Sequence, residues 1–172
     1  MFENPEIPLD DLPDMEDIDW LPIEPRYIKR MLVERVLVVL GLFLAATIPY
    51  FITPQGFDST VPLPVLVVPF AIPFLAWPFW SVPRRGYVVR DKDIVFKSGV
   101  LWRSVTAIPF NRIQHVETSH TPLDRRFDVA ALQLFTAGGT GGDLNICGLA
   151  TNVAERLRVY VLDKVGVSIE NA

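Results

Sequence analysis

The side chains best suited to chemistry in this chain are two histidines, His115 and His120, and one cysteine, Cys147. Two imidazoles and a thiolate make a metal-ligand set only where they converge. A spacing of five puts His115 and His120 on opposite faces of a regular strand, so they share no ion unless a bulge intervenes. Cys147 lies in an apolar run between Ile146 and Leu149 and reads as a small buried hydrophobe, not a nucleophile. As a single cysteine it excludes an intramolecular disulfide, as expected in a reducing compartment. The run Gly138-Gly139-Thr140-Gly141-Gly142 lacks a following Lys-Ser or Lys-Thr and opens no helix, so it reads as a hairpin connection and not a phosphate cradle. The pairs Asp91/Asp93 and Asp124/Asp128 sit in turns with Lys or Arg nearby and read as solvated or ion-paired surface, not an acid/base couple. The expectation is a chain with no catalytic residue, no metal and no cofactor.

Binding remains. Arg26, Lys29 and Arg30, with Arg84 and Arg85, are placed for attraction to anionic lipid head groups, worth about 1 kcal/mol each near a membrane surface. Their other role is to set topology. In the dense motif at residues 109–117 Pro109 ends a strand, Asn111 favours a turn, and Ile113 and Val116 enter the core. Arg112 and His115 are left as a partner surface.

Two uncharged stretches, residues 36–53 and 59–82, must position these groups. About 20 apolar residues in a helix cross a hydrocarbon core of about 30 Å. The expectation is a transmembrane hairpin at residues 26–85, with spans at about 34–53 and 61–82 and a short tip between. Basic residues flank its open end and none lies at the tip, so both termini are expected on the cytoplasmic side of an inner membrane. Residues 1–25 are acidic and the first apolar run lacks a small-residue cleavage site, so it reads as an uncleaved anchor. Pro69, Pro73 and Pro78 interrupt the second span, each freeing the carbonyl four residues earlier. In hydrocarbon that carbonyl needs a partner from a neighbouring helix or a water.

Charge is unevenly spread. The net charge is −4, yet residues 1–24 hold nine acids and no base, leaving 16 bases against 11 acids beyond them. A basic body facing anionic lipid fits, whereas nucleic-acid binding does not, because no stretch interleaves dense Arg and Lys with aromatics. Thirteen of the fifteen prolines lie at or before Pro83. Residues 1–25, broken by five of them, read as a disordered tail.

Beyond Gly86 short β-rich runs begin. Residues 87–90 and 94–97 flank a turn, Ser98-Gly99 separates the next strand at 100–103, and further strands are expected at 105–108, 113–120, 129–136 and 144–149. A helix closes the chain, with Asn152 and Glu155 as a capping box, Val153, Leu157, Tyr160, Val161 and Val165 as its apolar stripe, and Gly166 as its stop. On that reading Leu157→Asp unfolds the unit. The class is α+β: a two-helix transmembrane hairpin, then a small antiparallel β-sandwich or partly open barrel with one C-terminal helix, at residues 86–166, and a tail at 167–172.

These residues resemble the bacterial membrane proteins with a pleckstrin-homology-like domain, the YdbS-like family. The resemblance rests on Arg84-Arg85-Gly86-Tyr87, on residues 94–101, 108–116 and 121–127, and on Leu134 to Gly139 with Gly148-Leu149. It implies a pleckstrin-like fold and a membrane location, with no assigned activity. Pleckstrin-like folds often hold head groups with a basic first hairpin; here Arg90-Asp91-Lys92-Asp93 is charge-neutral. The function expected is an interaction or assembly module at the cytoplasmic membrane face, self-associating or with a membrane partner. The alternatives are a membrane enzyme with its site in the soluble domain and a small channel or transporter component.

Overall fold

The computed structural model describes residues 18–52, 63–136 and 144–170. The elements run β1 (Leu21–Pro22), α1 (Arg26–Ile52), α2 (Leu63–Ser81), β2 (Gly86–Val89), β3 (Asp93–Ser98) and β4 (Ser104–Pro109). A 3-10 turn (Phe110–Arg112) leads to β5 (Ile113–Ser119), α3 (Pro122–Phe127), β6 (Val129–Thr136), β7 (Leu144–Ala150) and α4 (Thr151–Glu170). Strands β1-β2-β3-β4 form one antiparallel sheet and β5-β6-β7 a second. The α+β expectation holds, with two sheets that do not close into a barrel.

Alternation explains the core. In β6, Leu132 and Leu134 face inward, and in β7 so do Leu144 and Ile146, with the intervening residues less buried. Ile94, Leu132, Leu134, Ile146, Leu149 and Val129 are fully buried, each worth about 1.5–3 kcal/mol relative to exposure. Helix α4 packs on this core through Ala154 and Val161, both at 0% exposure. Leu157 is only half-buried and lines an open groove with Tyr160, Tyr87 and Leu21. The damage expected of Leu157→Asp therefore belongs to Val161.

Several elements differ from the sequence reading. The β3–β4 connection is a five-residue loop at 99–103, not a two-residue turn followed by a strand, because Ser98 pairs with Ser104. Gly99 turns the chain at φ 114°, and a Cβ there would lie 1.7 Å from the Trp102 carbonyl oxygen. Leu101 and Trp102 are consequently 74% and 85% exposed. The segment from residue 18 is not an unpacked tail: Leu21 and Pro22 pair with Tyr87 and Gly86, and Ile23 is buried in the core. Residues 1–17 lie outside the described residues, as do the hairpin tip and the Gly138 to Gly142 run. Helix α4 begins one residue before Asn152, and Glu155 accepts from the Thr118 hydroxyl at 3.3 Å. Gly166 does not stop it, since the helix runs to Glu170. A glycine inside a helix costs only about 1 kcal/mol.

Candidate functional site

The described structure converges where α1 enters the domain. The first turns of α1 belong to the core: Tyr27 and Met31 are buried in the same cluster as Ile23, Val129, Ala130 and Leu149. Beyond them α1 emerges, with Val36, Leu37, Leu40, Leu42 and Leu44 about half exposed. A single helix is thus both a core element and an uncovered apolar rod.

Two devices lock the joint. Gly148 in β7 has φ 88°, and a Cβ on it would lie 2.5 Å from Tyr27 Cγ and 2.7 Å from Ile23 Cγ2. Only glycine suits both the backbone angle and the approach of α1. The Gly148 carbonyl accepts from the Glu24 N–H at 3.0 Å, holding the chain just before α1.

The second device is electrostatic. Arg30 Nε donates to Asp124 Oδ1 at 2.7 Å, with the two side chains 13% and 10% exposed. The same guanidinium pairs with Glu34 and reaches the Thr121 hydroxyl at 3.4 Å. Asp124 Oδ2 accepts from the Thr121 N–H at 2.8 Å, and the Asp124 N–H donates to Thr121 Oγ1 at 3.1 Å, a complete capping box. One carboxylate starts α3 and holds α1. Burial pushes the Asp124 carboxyl up, but the hydrogen bonds from Thr121 and Arg30 outweigh it and hold the group below the usual carboxylate range. Arg26 adds an exposed pair to Asp128 at 3.0 Å.

One of the three carbonyls that the α2 prolines free has a partner from α1. Pro78 removes the N–H that would bond the Phe74 carbonyl, and Arg35 Nη1 of α1 donates to that oxygen at 2.5 Å. The Arg35 guanidinium also lies 4.5 Å from the Phe74 ring centroid.

The sequence-expected site residues separate in this frame. Arg26 and Arg30 are held in ion pairs, and Arg85 lies near Tyr27. Arg84 donates to the Trp80 carbonyl at the end of α2 (2.8 Å), and Lys29 is exposed on the first turn of α1. Arg112 and His115 are exposed near one another in sequence, His115 beside Glu117 at 2.9 Å. A register shift lies between Ile113 and His115, before the histidines and not between them. His120 instead faces the Val129 carbonyl at 3.3 Å. Burial pushes the Cys147 thiol up, and its Sγ donates to Asn145 Oδ1 at 3.2 Å. Among the described residues no three His, Cys, Asp or Glu converge on a common point. Sequence reasoning read Asp124 as solvated or ion-paired surface, and it is ion-paired but buried; the roles of Thr121 and Gly148 and the Arg35 contact with α2 were missed. The Thr121-x-x-Asp124 spacing carried the signal for the capping box.

Comparison places this architecture. The bacterial PH domain family matches residues 34–165. The UPF0699 transmembrane protein YdbS of Bacillus subtilis (strain 168) is 25% identical over 135 residues, covering 76% of this chain and 80% of its own. No solved structure matches the chain. Residues Arg26–Ile48 form one helix long and apolar enough to cross a membrane, whereas the apolar part of α2, Val67–Ser81, is shorter. With its uncovered helix, paired sheets and closing α4, this membrane protein belongs to the bacterial PH domain family.

Proposed function

We propose that this chain is a non-enzymatic integral membrane protein that holds its PH-like domain at the cytoplasmic face, in a fixed orientation, as an interaction and assembly module. The observation that carries the reading is the continuity of α1, which starts in the domain core and leaves it as an apolar rod. A domain on a flexible tether needs no such joint. Confinement to the membrane plane raises effective concentration, so weak contacts become useful.

In this reading α2 also crosses, and the segments flanking the hairpin lie in the cytoplasm, as their basic residues favour. Arg26 and Arg30 serve the joint, so Lys29 and Arg84 are the cations left for lipid phosphates, with Arg85 between the two roles. The edge strand β4 offers backbone to a second copy, and Arg112 with His115 offers a polar surface to a membrane partner.

Two readouts test this. A bulky maleimide is expected to modify Asn111→Cys, in a Cys147→Ser background, only after the inner membrane is opened. Crosslinking in native membranes is expected to trap a discrete larger species. A strictly monomeric chain with nothing co-purifying would remove the assembly role, and labelling from outside the cell would reverse the orientation.

A further inference from the structure

Leu101 and Trp102 stand out as large apolar side chains that the fold holds in the open at the tip of a hairpin. Their exposure is built in. Gly99 adopts φ 114°, and its Cα hydrogens lie against the Trp102 carbonyl, where any side chain would collide. The loop turns sharply at Gly99 and carries Leu101 and Trp102 exposed at its tip.

Strand register gives the direction of that projection. Helix α2 ends at Ser81 and β2 begins at Gly86 after one tight turn, in which the Arg85 N–H bonds the Val82 carbonyl. Gly86 pairs with Lys97, so the far end of β3 lies beside the point where the chain comes off α2. Pro22, four residues before α1, pairs with Gly86 on the other side. Both helices therefore attach at one end of this sheet. The 99–103 loop extends β3 beyond Lys97 at that same end. The opposite end carries the Arg90 to Asp93 turn, which is charged and apolar-free.

Chemistry agrees with position. Trp and Leu followed by Arg103 is an interfacial composition: an indole at head-group depth, an alkyl chain below it and a guanidinium for phosphate. Arg103 is exposed and has no ion-pair partner among the described residues. Lys97 is the next cation along the sheet end, above the Trp20 ring at 4.3 Å.

We infer that the 99–103 loop is a bilayer wedge, with Leu101 and Trp102 seated at the membrane interface and Arg103 at phosphate level. The domain then touches lipid at a second point beside its helical anchor, which fixes its tilt. This rests on the membrane-anchored reading above and adds a specific lipid-contacting element to it.

The test uses the full chain carrying Trp20→Phe, Trp77→Phe and Trp80→Phe, so that Trp102 alone fluoresces. It is reconstituted in vesicles of phosphatidylcholine and phosphatidylglycerol with or without bromine on the acyl chains. Brominated lipid is expected to remove most of the Trp102 emission, with little quenching by aqueous iodide. A second chain carries Trp102→Phe as well and Gly41→Trp, a position with nothing within 4 Å of its Cβ; it reports on α1. If the Gly41 probe is quenched by brominated lipid and Trp102 is not, the wedge is overturned while the anchor stands. That holds whether Trp102 is open to iodide or shielded by another protein surface. If neither is quenched, the anchor fails and the wedge with it.

Discussion

Gly148→Ala is expected to loosen α1 from the domain and to destabilise the fold by about 2–6 kcal/mol. Two costs combine at this position. Holding a side-chain-bearing residue near φ 88° strains the backbone by about 1–3 kcal/mol. Forcing a methyl to 2.5 Å from the Tyr27 ring and 2.7 Å from Ile23 adds an overpacking cost of about 1–3 kcal/mol. The ring cannot yield alone, because Tyr27 sits on the first turn of α1 and Ile23 immediately precedes it. The helix start must move, and the Glu24 bond to the Gly148 carbonyl goes with it. Chemical denaturation of the protein in detergent, with hydrogen exchange of residues 23–31, measures both effects. Gly41→Ala is the matched control: nothing lies within 4 Å of its Cβ, and the change is expected to be neutral or slightly stabilising. Equal behaviour of the two variants would contradict the joint described here.

Asp124→Ala is expected to be the next most damaging change, at about 3–5 kcal/mol. It leaves the Arg30 guanidinium, only 13% exposed, without its best partner, and it opens the capping box of α3. Breaking a buried pair from one side costs about 3–5 kcal/mol, and Glu34 at the other end of the guanidinium limits the loss. A double-mutant cycle with Arg30→Ala should show strong coupling, since the partners share one network. Acidity gives an independent readout. The folded Asp124 carboxyl titrates below its unfolded value of about 3.9. Its contribution is therefore complete above about pH 4 and is lost as pH falls through the lower folded value. Asp124→Asn should lower stability near neutral pH and remove that part of the acid slope below about pH 4. An unchanged acid slope would mean that another group carries it.

The helices and most strands were legible because burial imposes local periodicity. The long uncharged run of α1, and the alternation of Leu132, Leu134, Leu144 and Ile146, announce their own environment. Residues 100–103 were misread for a related reason: an apolar, β-prone run looks the same whether its destination is a core or something beyond the molecule. Leu21 and Pro22 form a strand only because β2 lies 65 residues away in register, which no local pattern reports. The strand expected at 113–120 gives way at Thr121-Pro122, and that pair is a helix start once Asp124 closes the box. The joint itself was the least legible part. Arg30 and Asp124 lie 94 residues apart, and the close approach that bars a side chain at 148 exists because Tyr27 is delivered there by another element.

In the proposed arrangement one helix is shared rigidly between membrane and domain. Spin labels at Gly41→Cys on the apolar rod and Asn111→Cys on the domain, in a Cys147→Ser chain embedded in lipid nanodiscs, measure it directly. Pulsed electron resonance is expected to give one narrow distance distribution, broadened by Gly148→Ala. A broad, multi-component distribution in the otherwise unaltered protein would mean that the domain swings on a tether and that α1 is no rigid joint.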